Sequence, residues 1–476
     1  MTPTFGTAGI RGRMPDEFNL DVVVHTTAGV AAWLQGKCLG GGTVVVGHDA
    51  RHNSAEFARA AAEVLAAEGF SVVLLPRALP TPITAFAVKA LRAVAGVQLT
   101  ASHNPPADNG LKVYVSDGAQ LVSPADREIE AAIARVGAVR RVPVGVADTD
   151  LVSRYLARIT QLPKGTAREL RIAVTAMHGV GGELLVAALR AVGFTDVHVV
   201  AEQFEPDPDF PTTPFPNPEE PGATDLLLAL AERVDADLAI ALDPDADRCA
   251  LGVGGRMLRG DETGVLVGDY VMAPGGLVAT TVVSSRLLGK VAAARGARFA
   301  ETLTGFKWLT RAGDGLVYAY EEALGLCVDP DHVRDKDGIS AAVLAADLAA
   351  TLKAQGRTLL DVLDDYAVEF GLHATGQRSV IGADPMPALR AAPPAALAGA
   401  PVTVTDLLTE RGRMHTDAMI FEGATVRVVV RPSGTEPKVK CYAEVIEPVA
   451  DHADLPRART TAAARLEAAL NDITRV

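Results

Sequence analysis

The feature that most constrains the fold is an alternation of short apolar strands with helices, repeated three times along the chain. The three rounds begin at the strand-like segments 43–46, 171–175 and 277–283. Such alternation is typical of βαβ units with largely parallel sheets, in which ligands bind at the carboxyl ends of strands. We therefore predict three similar α/β domains with mixed, mostly parallel sheets.

Local signals set the bounds of several helices in these rounds. Ser54 is predicted to be the N-cap of the first helix, and Gly69 is predicted to end it. A helix near 307–312 is predicted in the third round. Between the helices, each domain presents one polar loop at the end of a buried strand, so these loops are where chemistry is expected.

The last hundred residues have a different pattern. An Ala- and Pro-rich stretch, 391–401, precedes strand-like segments at 402–405, 425–430 and 439–446 and a helix-like segment at 457–473. This order predicts a smaller C-terminal α+β domain. The predicted domains are therefore 1–148, 149–255, 256–370 and 371–476.

Charge and cysteine usage exclude several classes of function. The 476 residues have a formal net charge of −13, which disfavours nucleic acid or an anionic membrane as the main partner. The four cysteines form no C-x-x-C pair, so neither a zinc cluster nor a disulfide framework is expected. With no apparent signal peptide or transmembrane segment, we expect a cytoplasmic protein.

One strand of the first round leads to a candidate nucleophile. The apolar run 96–99 ends in Thr100-Ala101-Ser102-His103-Asn104-Pro105-Pro106, and Lys112 follows nearby. A hydroxyl flanked by an imidazole and an amine has candidate partners for proton transfer. No Gly-x-Ser-x-Gly elbow surrounds Ser102, which argues against an α/β-hydrolase.

A candidate metal site follows a buried strand of the second round. Asp243-Pro244-Asp245-Ala246-Asp247-Arg248 places three carboxylates at alternate positions after the apolar run 238–242. Three oxygen ligands in one turn suit a hard cation such as Mg²⁺. The glycine and glutamate of an EF-hand loop are missing, so a calcium hand is not predicted.

Further segments carry residue types that bind anions or sugar hydroxyls. The C-terminal one, Arg431-Pro432-Ser433-Gly434-Thr435-Glu436-Pro437-Lys438, has the composition of a phosphate cradle but lacks a nucleotide P-loop ending. The others are the glycine-rich loop 6–12 with Arg11, the pair Glu321-Glu322, and Lys307. Together these residues predict phosphoryl transfer without a nucleotide.

One long segment belongs to none of these groups. Residues 205–221 contain seven prolines, which excludes regular secondary structure. We predict an extended surface loop in the second domain.

The order and spacing of the Ser102, Asp243–Asp247, Glu321–Gly325 and Arg431–Pro437 segments resemble those of the α-D-phosphohexomutases, over nearly the whole chain. The resemblance implies four domains around a central cleft and a phosphoserine at Ser102. It also implies that Ser102, Asp243, Asp245 and Asp247 bind Mg²⁺. A sugar bisphosphate such as glucose 1,6-bisphosphate is implied as intermediate and activator.

The resemblance also assigns expected roles to the remaining candidates. The expected cations of the active site are Arg11, Lys112, Arg248 and Lys307, with either Lys112 or His103 as general acid/base. Glu321 and Glu322 are expected to bind sugar hydroxyls. The expected ligands of the non-reacting phosphate are Arg431, Ser433, Gly434 and Thr435.

One departure from the family pattern leaves the sugar undetermined. Ala323 stands where the common sugar loop of the family has a serine, and Glu-Glu-Ala resembles the branch that includes phosphopentomutases. The prediction is a phosphoglucomutase or phosphomannomutase acting on a phosphosugar as a monomer or homodimer. A phosphopentomutase and a phosphosugar phosphatase are the alternatives, and a non-catalytic sugar-phosphate sensor is disfavoured.

Overall fold

The computed structural model describes residues 5–6, 9–147, 149–382, 384–433 and 438–475. The chain forms two compact units. The first comprises Met1–Thr263 and Ala323–Arg357, and the second comprises Gly264–Glu322 and Thr358–Val476. The helix Gly260–Val271 begins in the first unit and ends in the second.

The first sheet of the first unit positions Ser102. Its strands, in spatial order, are Ile10–Arg13, Asp108–Val115, Ala95–Leu99, Thr43–His48 and Ser71–Leu74. The last three run parallel, whereas Asp108–Val115 returns antiparallel beside Ala95–Leu99. The accompanying helices are Leu20–Gly36, Ser54–Ala67, Thr81–Ala90 and Ala125–Ile133. All five residues of Ala95–Leu99 are buried, so this strand carries the chain through the core to the Ser102 loop.

The second sheet of this unit repeats the plan and leads to the three aspartates. In spatial order its strands are Arg256–Met257, Cys249–Val253, Leu238–Leu242, Ile172–Thr175 and Val197–Val199. Its helices are Leu151–Ile159, Gly182–Ala191 and Asp225–Val234, with a short 3₁₀ helix at Ala201–Gln203. The central strand Leu238–Leu242 is entirely buried and ends at Asp243.

Residues Ala323–Arg357 complete the first unit. They contain the strand Gly325–Cys327 and the helix Gly338–Lys353. Asp337 caps this helix, because its side chain accepts hydrogen bonds from the N–H groups of Ile339 and Ser340. A Cβ on Gly338 would lie 2.4 Å from the carbonyl oxygen of Arg248, so only glycine allows the helix to start this close to the aspartate loop.

The second unit combines parallel strands with an antiparallel sheet. The parallel strands are Arg298–Thr302, Leu277–Thr281 and Leu316–Glu321, and helices Leu287–Ala294 and Phe306–Leu309 accompany them. The antiparallel sheet has the order Leu372–Ile381, Lys438–Glu447, Val426–Pro432, Met419–Glu422 and Thr403–Asp406. The remaining elements are helices Leu359–Phe370, Met386–Ala391 and Leu455–Thr474 and the hairpin strands Ala396–Leu397 and Ala400–Pro401.

The predicted fold class, three α/β domains followed by a smaller α+β domain, is confirmed. Two local predictions are wrong. Ser54 is the first helical residue, and the cap position belongs to Asn53, whose φ of 63° suits a short polar side chain. The helix predicted near 307–312 is the single turn Phe306–Leu309. Residues 204–224 contain no helix or strand, as their prolines predict. None of the helices in the described part of the chain combines the length and apolarity needed to cross a bilayer.

Candidate active site

Ser102 occupies a strained position at the end of its strand. Its φ is 53°, in the left-handed region that non-glycine residues rarely adopt. The N–H of Ser102 donates to Thr100 Oγ1 at 2.8 Å, which helps to hold this conformation. Only 1% of the serine is exposed. Strain at a buried hydroxyl is typical of a functional position.

A buried arginine fixes the backbone of this loop from the inside. The Arg51 guanidinium donates to the carbonyl oxygens of Ser102 at 2.6 Å and of Pro105 at 2.8 Å, and also to that of Asn104. Its Nε lies 3.5 Å from Asp49. Arg51 was not among the site residues predicted from the sequence, although it lies in the polar segment that follows the strand Thr43–His48. It is a positioning residue for Ser102.

The three aspartates and Ser102 form one buried cluster. The Ser102 hydroxyl donates to Asp243 Oδ2 at 2.9 Å, and one oxygen from each of Asp243, Asp245 and Asp247 lies within 4.8 Å of the others. Ala246, with a φ of 57°, turns the chain so that alternate carboxylates converge. The structure therefore brings together all four predicted metal ligands.

Two lysines partly neutralise this cluster. Lys112 Nζ lies 2.6 Å from Asp245 and 2.8 Å from Asp247, and Lys336 Nζ lies 3.1 Å from Asp247. Burial lowers the pKa of Lys112, but the two carboxylates outweigh it and raise that pKa. Burial, Asp245 and Asp247 raise the pKa of Asp243 well above its usual value. The three buried carboxylates therefore repel one another, and the two lysines offset only part of their negative charge.

The oxygens left over in this cluster are suited to a metal ion. Asp245 Oδ1 and Asp247 Oδ1 are buried and have no hydrogen-bond partner in the described part of the chain. Unpaired buried carboxylate oxygens are costly, and an unaccounted ion is a common explanation for them. Oxygen-only ligands at this density fit a hard divalent cation such as Mg²⁺.

Lys336 was not among the site residues predicted from the sequence, yet it contacts the triad. Its neighbour Asp335 accepts hydrogen bonds from Tyr114 Oη at 2.8 Å and from Gln120 Nε2 at 2.7 Å. These contacts anchor the segment that carries Lys336 to the strand that carries Lys112. The signal available in the sequence was a run of charges just before an apolar helix.

The other predicted residues of the first unit surround Ser102. His103 Nδ1 lies 3.2 Å from Ser102 Oγ, and burial, followed by the charges of Arg248 and Arg11, lowers the pKa of His103 well below its usual value. Arg11 donates to the side chain of Asn104 at 2.9 Å. Arg248 Nε lies 3.9 Å from Asp243 Oδ2. Neutral imidazole and two guanidinium groups therefore accompany the buried hydroxyl.

The remaining predicted site residues belong to the second unit. Thr281 Oγ1 and Ser284 Oγ donate to Glu322 Oε2 at 3.3 and 3.2 Å, so this carboxylate has a fixed orientation. Glu321 ends the strand Leu316–Glu321, and Lys307 lies in the turn Phe306–Leu309. Arg431 lies in the strand Val426–Pro432, and the Ser433 N–H donates to the Lys438 carbonyl oxygen at 2.8 Å. Gly434 and Thr435 lie outside the described residues.

Comparison with known families accounts for almost the whole chain. Residues 2–140, 153–255 and 259–369 match the models of alpha/beta/alpha domains I, II and III of phosphoglucomutase/phosphomannomutase. Residues 390–455 match the model of the C-terminal domain of the same family.

Individual relatives are similar over most of their length. A Haemophilus influenzae protein named "Probable phosphomannomutase" is 42% identical over 451 residues, covering 89% of this chain and 92% of the relative. A Schizosaccharomyces pombe protein named "Probable phosphoribomutase" is 33% identical over 513 residues, covering 92% of this chain and 86% of the relative. The crystal structure of a phosphoglucomutase/phosphomannomutase family protein from Burkholderia thailandensis superposes with a TM-score of 0.76 at 23% identity, covering 98% of both chains, and so shows the same fold.

Proposed function

Because the chain belongs to the phosphoglucomutase/phosphomannomutase family, whose members are phosphomutases, we propose that it interconverts hexose 1-phosphate and hexose 6-phosphate. Glucose, mannose or both are the proposed sugars. The proposal depends on one observation above all. A strained, buried serine hydroxyl is hydrogen-bonded to an aspartate of a three-carboxylate cluster that is incompletely satisfied by protein groups.

In the proposed reaction Ser102 carries the phosphoryl group between turnovers. The bond from phosphorus to Ser102 Oγ breaks as a bond forms from phosphorus to a sugar hydroxyl oxygen, which gives a sugar bisphosphate and free serine. The sugar hydroxyl loses its proton to His103, and the leaving Ser102 oxygen takes up a proton from the same imidazole. Lys112, the other predicted acid/base group, stays protonated beside Asp245 and Asp247. The bisphosphate then reverses its orientation in the site, and its other phosphoryl group is transferred to Ser102.

The chain's own groups are suited to this step. Arg11 and Arg248 offset negative charge on the transferring group, and such preorganised charge is often the largest catalytic term. Arg51 holds the loop of Ser102 in place, because its guanidinium donates to three backbone carbonyl oxygens of that loop. His103 supports proton exchange with the serine, because its Nδ1 lies 3.2 Å from the hydroxyl.

Asp243, Asp245, Asp247 and Ser102 are the proposed ligands of Mg²⁺. When bound, the ion supplies Lewis-acid stabilisation of charge on the phosphoryl oxygens. We also propose a sugar bisphosphate such as glucose 1,6-bisphosphate as activator, because it can load Ser102 with phosphate.

The second unit supplies the proposed sugar and phosphate contacts. Glu321 and Glu322 would accept hydrogen bonds from sugar hydroxyls, with Glu322 aimed by Thr281 and Ser284. Lys307 adds a cation. The non-reacting phosphate would be held by Arg431, Ser433, Gly434 and Thr435, a set whose arginine can bind two phosphate oxygens at once.

A phosphopentomutase is the second candidate. It is favoured by Ala323 in the sugar loop and by the relative named "Probable phosphoribomutase". A phosphosugar phosphatase is the candidate from another class, in which water accepts the phosphoryl group. The Arg431–Thr435 segment argues against it, since hydrolysis needs no second phosphate anchor. A cytoplasmic monomer or homodimer is also proposed.

A substrate panel tests these candidates. The 1-phosphates of glucose, mannose, N-acetylglucosamine, ribose and deoxyribose are assayed with Mg²⁺ and catalytic glucose 1,6-bisphosphate, with both isomer and free phosphate measured. We expect isomer from a hexose 1-phosphate and none from the Ser102→Ala variant. Higher kcat/KM on a pentose selects the second candidate. Free phosphate in place of isomer, or full activity of Ser102→Ala, contradicts the proposed mechanism.

A further inference from the structure

The proline-rich segment 205–221, which the proposed function leaves unused, is fixed against the Ser102 region. The Phe210 ring packs against the Arg51 guanidinium, with 5.0 Å from its centroid to the Arg51 Cζ. Asp209 Oδ1 lies 2.7 Å from Nε2 of His52, the residue that follows Arg51. Phe210 itself is buried and has a φ of 45°, so this turn is held in a strained conformation by its surroundings.

Beyond Phe210 the same segment contacts two of the residues near the serine, His103 and Arg248. The ring of Phe215 lies 6.3 Å from the ring of His103, edge to face at 62°. Two residues further on, Asn217 Oδ1 accepts a hydrogen bond from Arg248 Nη1 at 3.4 Å. Glu219 lies 3.5 Å from the same guanidinium nitrogen.

These contacts place side chains in layers over the hydroxyl. Ser102 is buried, the His103 ring lies against its Oγ, and the Phe215 ring lies against His103. Phe215 is 37% exposed, which makes it one of the few large apolar side chains of the described residues that remain open to solvent. An exposed phenylalanine on a surface loop is ordinary by itself. Its position over His103, on a segment held at several points, is what suggests a role.

We propose that Phe215 is a shielding residue, which covers the His103 side of Ser102 and keeps water away from the phosphoserine. This inference rests on the proposed function. The competing reaction is hydrolysis, in which a water oxygen bonds to phosphorus, the bond to Ser102 Oγ breaks, and a water proton goes to the serine. A phosphoenzyme that must wait for its next sugar needs protection from this reaction, and an apolar cover provides it by excluding water.

The lifetime of the phosphoenzyme measures this shielding directly. The protein is loaded with glucose 1,6-bisphosphate and Mg²⁺, freed of sugar by gel filtration, and followed by intact mass as the species about 80 Da heavier disappears. Phe215→Ala removes the cover, and Phe215→Leu keeps part of it. Leu226→Ala is the matched control, because Leu226 is 39% exposed and lies on the helix Asp225–Val234.

We expect Phe215→Ala to shorten the lifetime at least about fivefold, Phe215→Leu to shorten it less, and Leu226→Ala to leave it unchanged. Mutase turnover should fall less than the lifetime, because sugar still competes for the phosphoryl group. Equal lifetimes of Phe215→Ala and the unchanged protein overturn the shielding role, whatever happens to KM. If the unchanged protein never gains the added mass, the proposed function fails, and the shielding role fails with it.

Discussion

The aspartate triad of the first unit and Glu444 of the second unit are both buried, but their carboxylate oxygens are hydrogen-bonded to different extents. In the first unit, Asp245 and Asp247 each keep one buried oxygen without a hydrogen-bond partner in the described residues. In the second unit, both oxygens of the buried Glu444 are hydrogen-bonded. The triad therefore has carboxylate oxygens that could ligate a cation, whereas both oxygens of Glu444 are already used within the protein.

Glu444 is satisfied from three directions. Its Oε1 accepts from Ser285 Oγ at 2.6 Å and from His373 Nδ1 at 2.7 Å, and its Oε2 accepts from Arg286 Nε at 2.6 Å. Burial raises the pKa of Glu444, but His373 and then Arg286 outweigh it and lower that pKa to about 2. Ser285 and Arg286 follow the strand Leu277–Thr281, so this carboxylate ties the antiparallel sheet to the parallel strands of its own unit.

The comparison shows that burial of charge does not by itself identify a functional site. What distinguishes the aspartate triad is mutual repulsion and incomplete pairing, which together favour a bound cation. At Glu444 each charge has its counterpart, and removing one partner should cost stability only. The following variants test this distinction, in order of decreasing expected effect.

Asp243→Asn should separate activity from stability. Loss of one ligand and of one charge beside the phosphoryl group should lower kcat/KM by about 10³-fold or more. The free energy of unfolding of the metal-free protein should stay within about 1 kcal/mol of its original value or rise, because repulsion among three carboxylates is relieved. Mutase assays and urea denaturation in EDTA measure both. Retained activity with lost stability would mean that the triad, like Glu444, contributes to stability and not to activity.

Glu444→Gln should have the opposite profile. Breaking a buried, paired charge should cost about 3 kcal/mol of unfolding free energy at pH 7. Because the folded pKa of Glu444 is depressed, its contribution is present above pH 4.5 and is lost as the pH falls from 4.5 towards 2. Denaturant melts from pH 7 to pH 3 should therefore show the gap between the two proteins shrinking with acid. Glu422→Gln, an exposed partner of Arg286, is the control.

A gap that stays constant or widens on acidification would mean that Glu444 is not stabilised in its charged form. The control variant should change stability by less than about 0.5 kcal/mol, since exposed ion pairs contribute little.

Lys336→Met should make the first unit dependent on metal. Removing a cation 3.1 Å from Asp247 should cost the metal-free protein about 2 kcal/mol, because a buried carboxylate loses part of its compensation. Mg²⁺ stabilises the folded state that binds it. Because the ion can replace the missing positive charge beside Asp247, it should raise the Tm of this variant more than that of the unchanged protein. Thermal melts in EDTA and in Mg²⁺ make the comparison. An equal rise in Tm on adding Mg²⁺ to both proteins would show that Lys336 does not influence the metal site.

Arg77→Ala should have the smallest effect. Arg77 and Glu183 lie 3.0 Å apart, but both side chains are largely exposed. We expect a change below about 0.5 kcal/mol in unfolding free energy and none in kcat/KM. A loss comparable to that of Glu444→Gln would mean that the distinction between buried and exposed charge does not hold for this protein.

The sequence predicted the position of the loops whose candidate residues lie within a few consecutive positions. Ser102 and the three aspartates each follow a fully buried strand, and the placement of such loops at the edge of a sheet is dictated by the βαβ plan. The strand Leu238–Leu242 coincides with the apolar run 238–242 for the same reason, a clear local pattern.

Residues that act through distant contacts were missed. Arg51 lies 51 positions before the serine whose carbonyl it binds, and a single arginine in a polar loop is indistinguishable in sequence from a solvated one. The strand Leu372–Ile381 was missed as well, because its inward and outward residues are not clearly apolar and polar. The helix Gly338–Lys353 is apolar on every face and so lacks the one-sided pattern of a surface helix.

Mapping of the phosphate tests the proposed role of Ser102 most directly. The protein is incubated with glucose 1,6-bisphosphate and Mg²⁺, digested, and its phosphopeptides are sequenced by mass spectrometry. We expect a single phosphorylated peptide that contains Ser102, with the phosphate on that serine and absent from Ser102→Ala. Phosphate on another residue, or none on Ser102 while the protein isomerises sugar phosphates, would contradict the proposed mechanism.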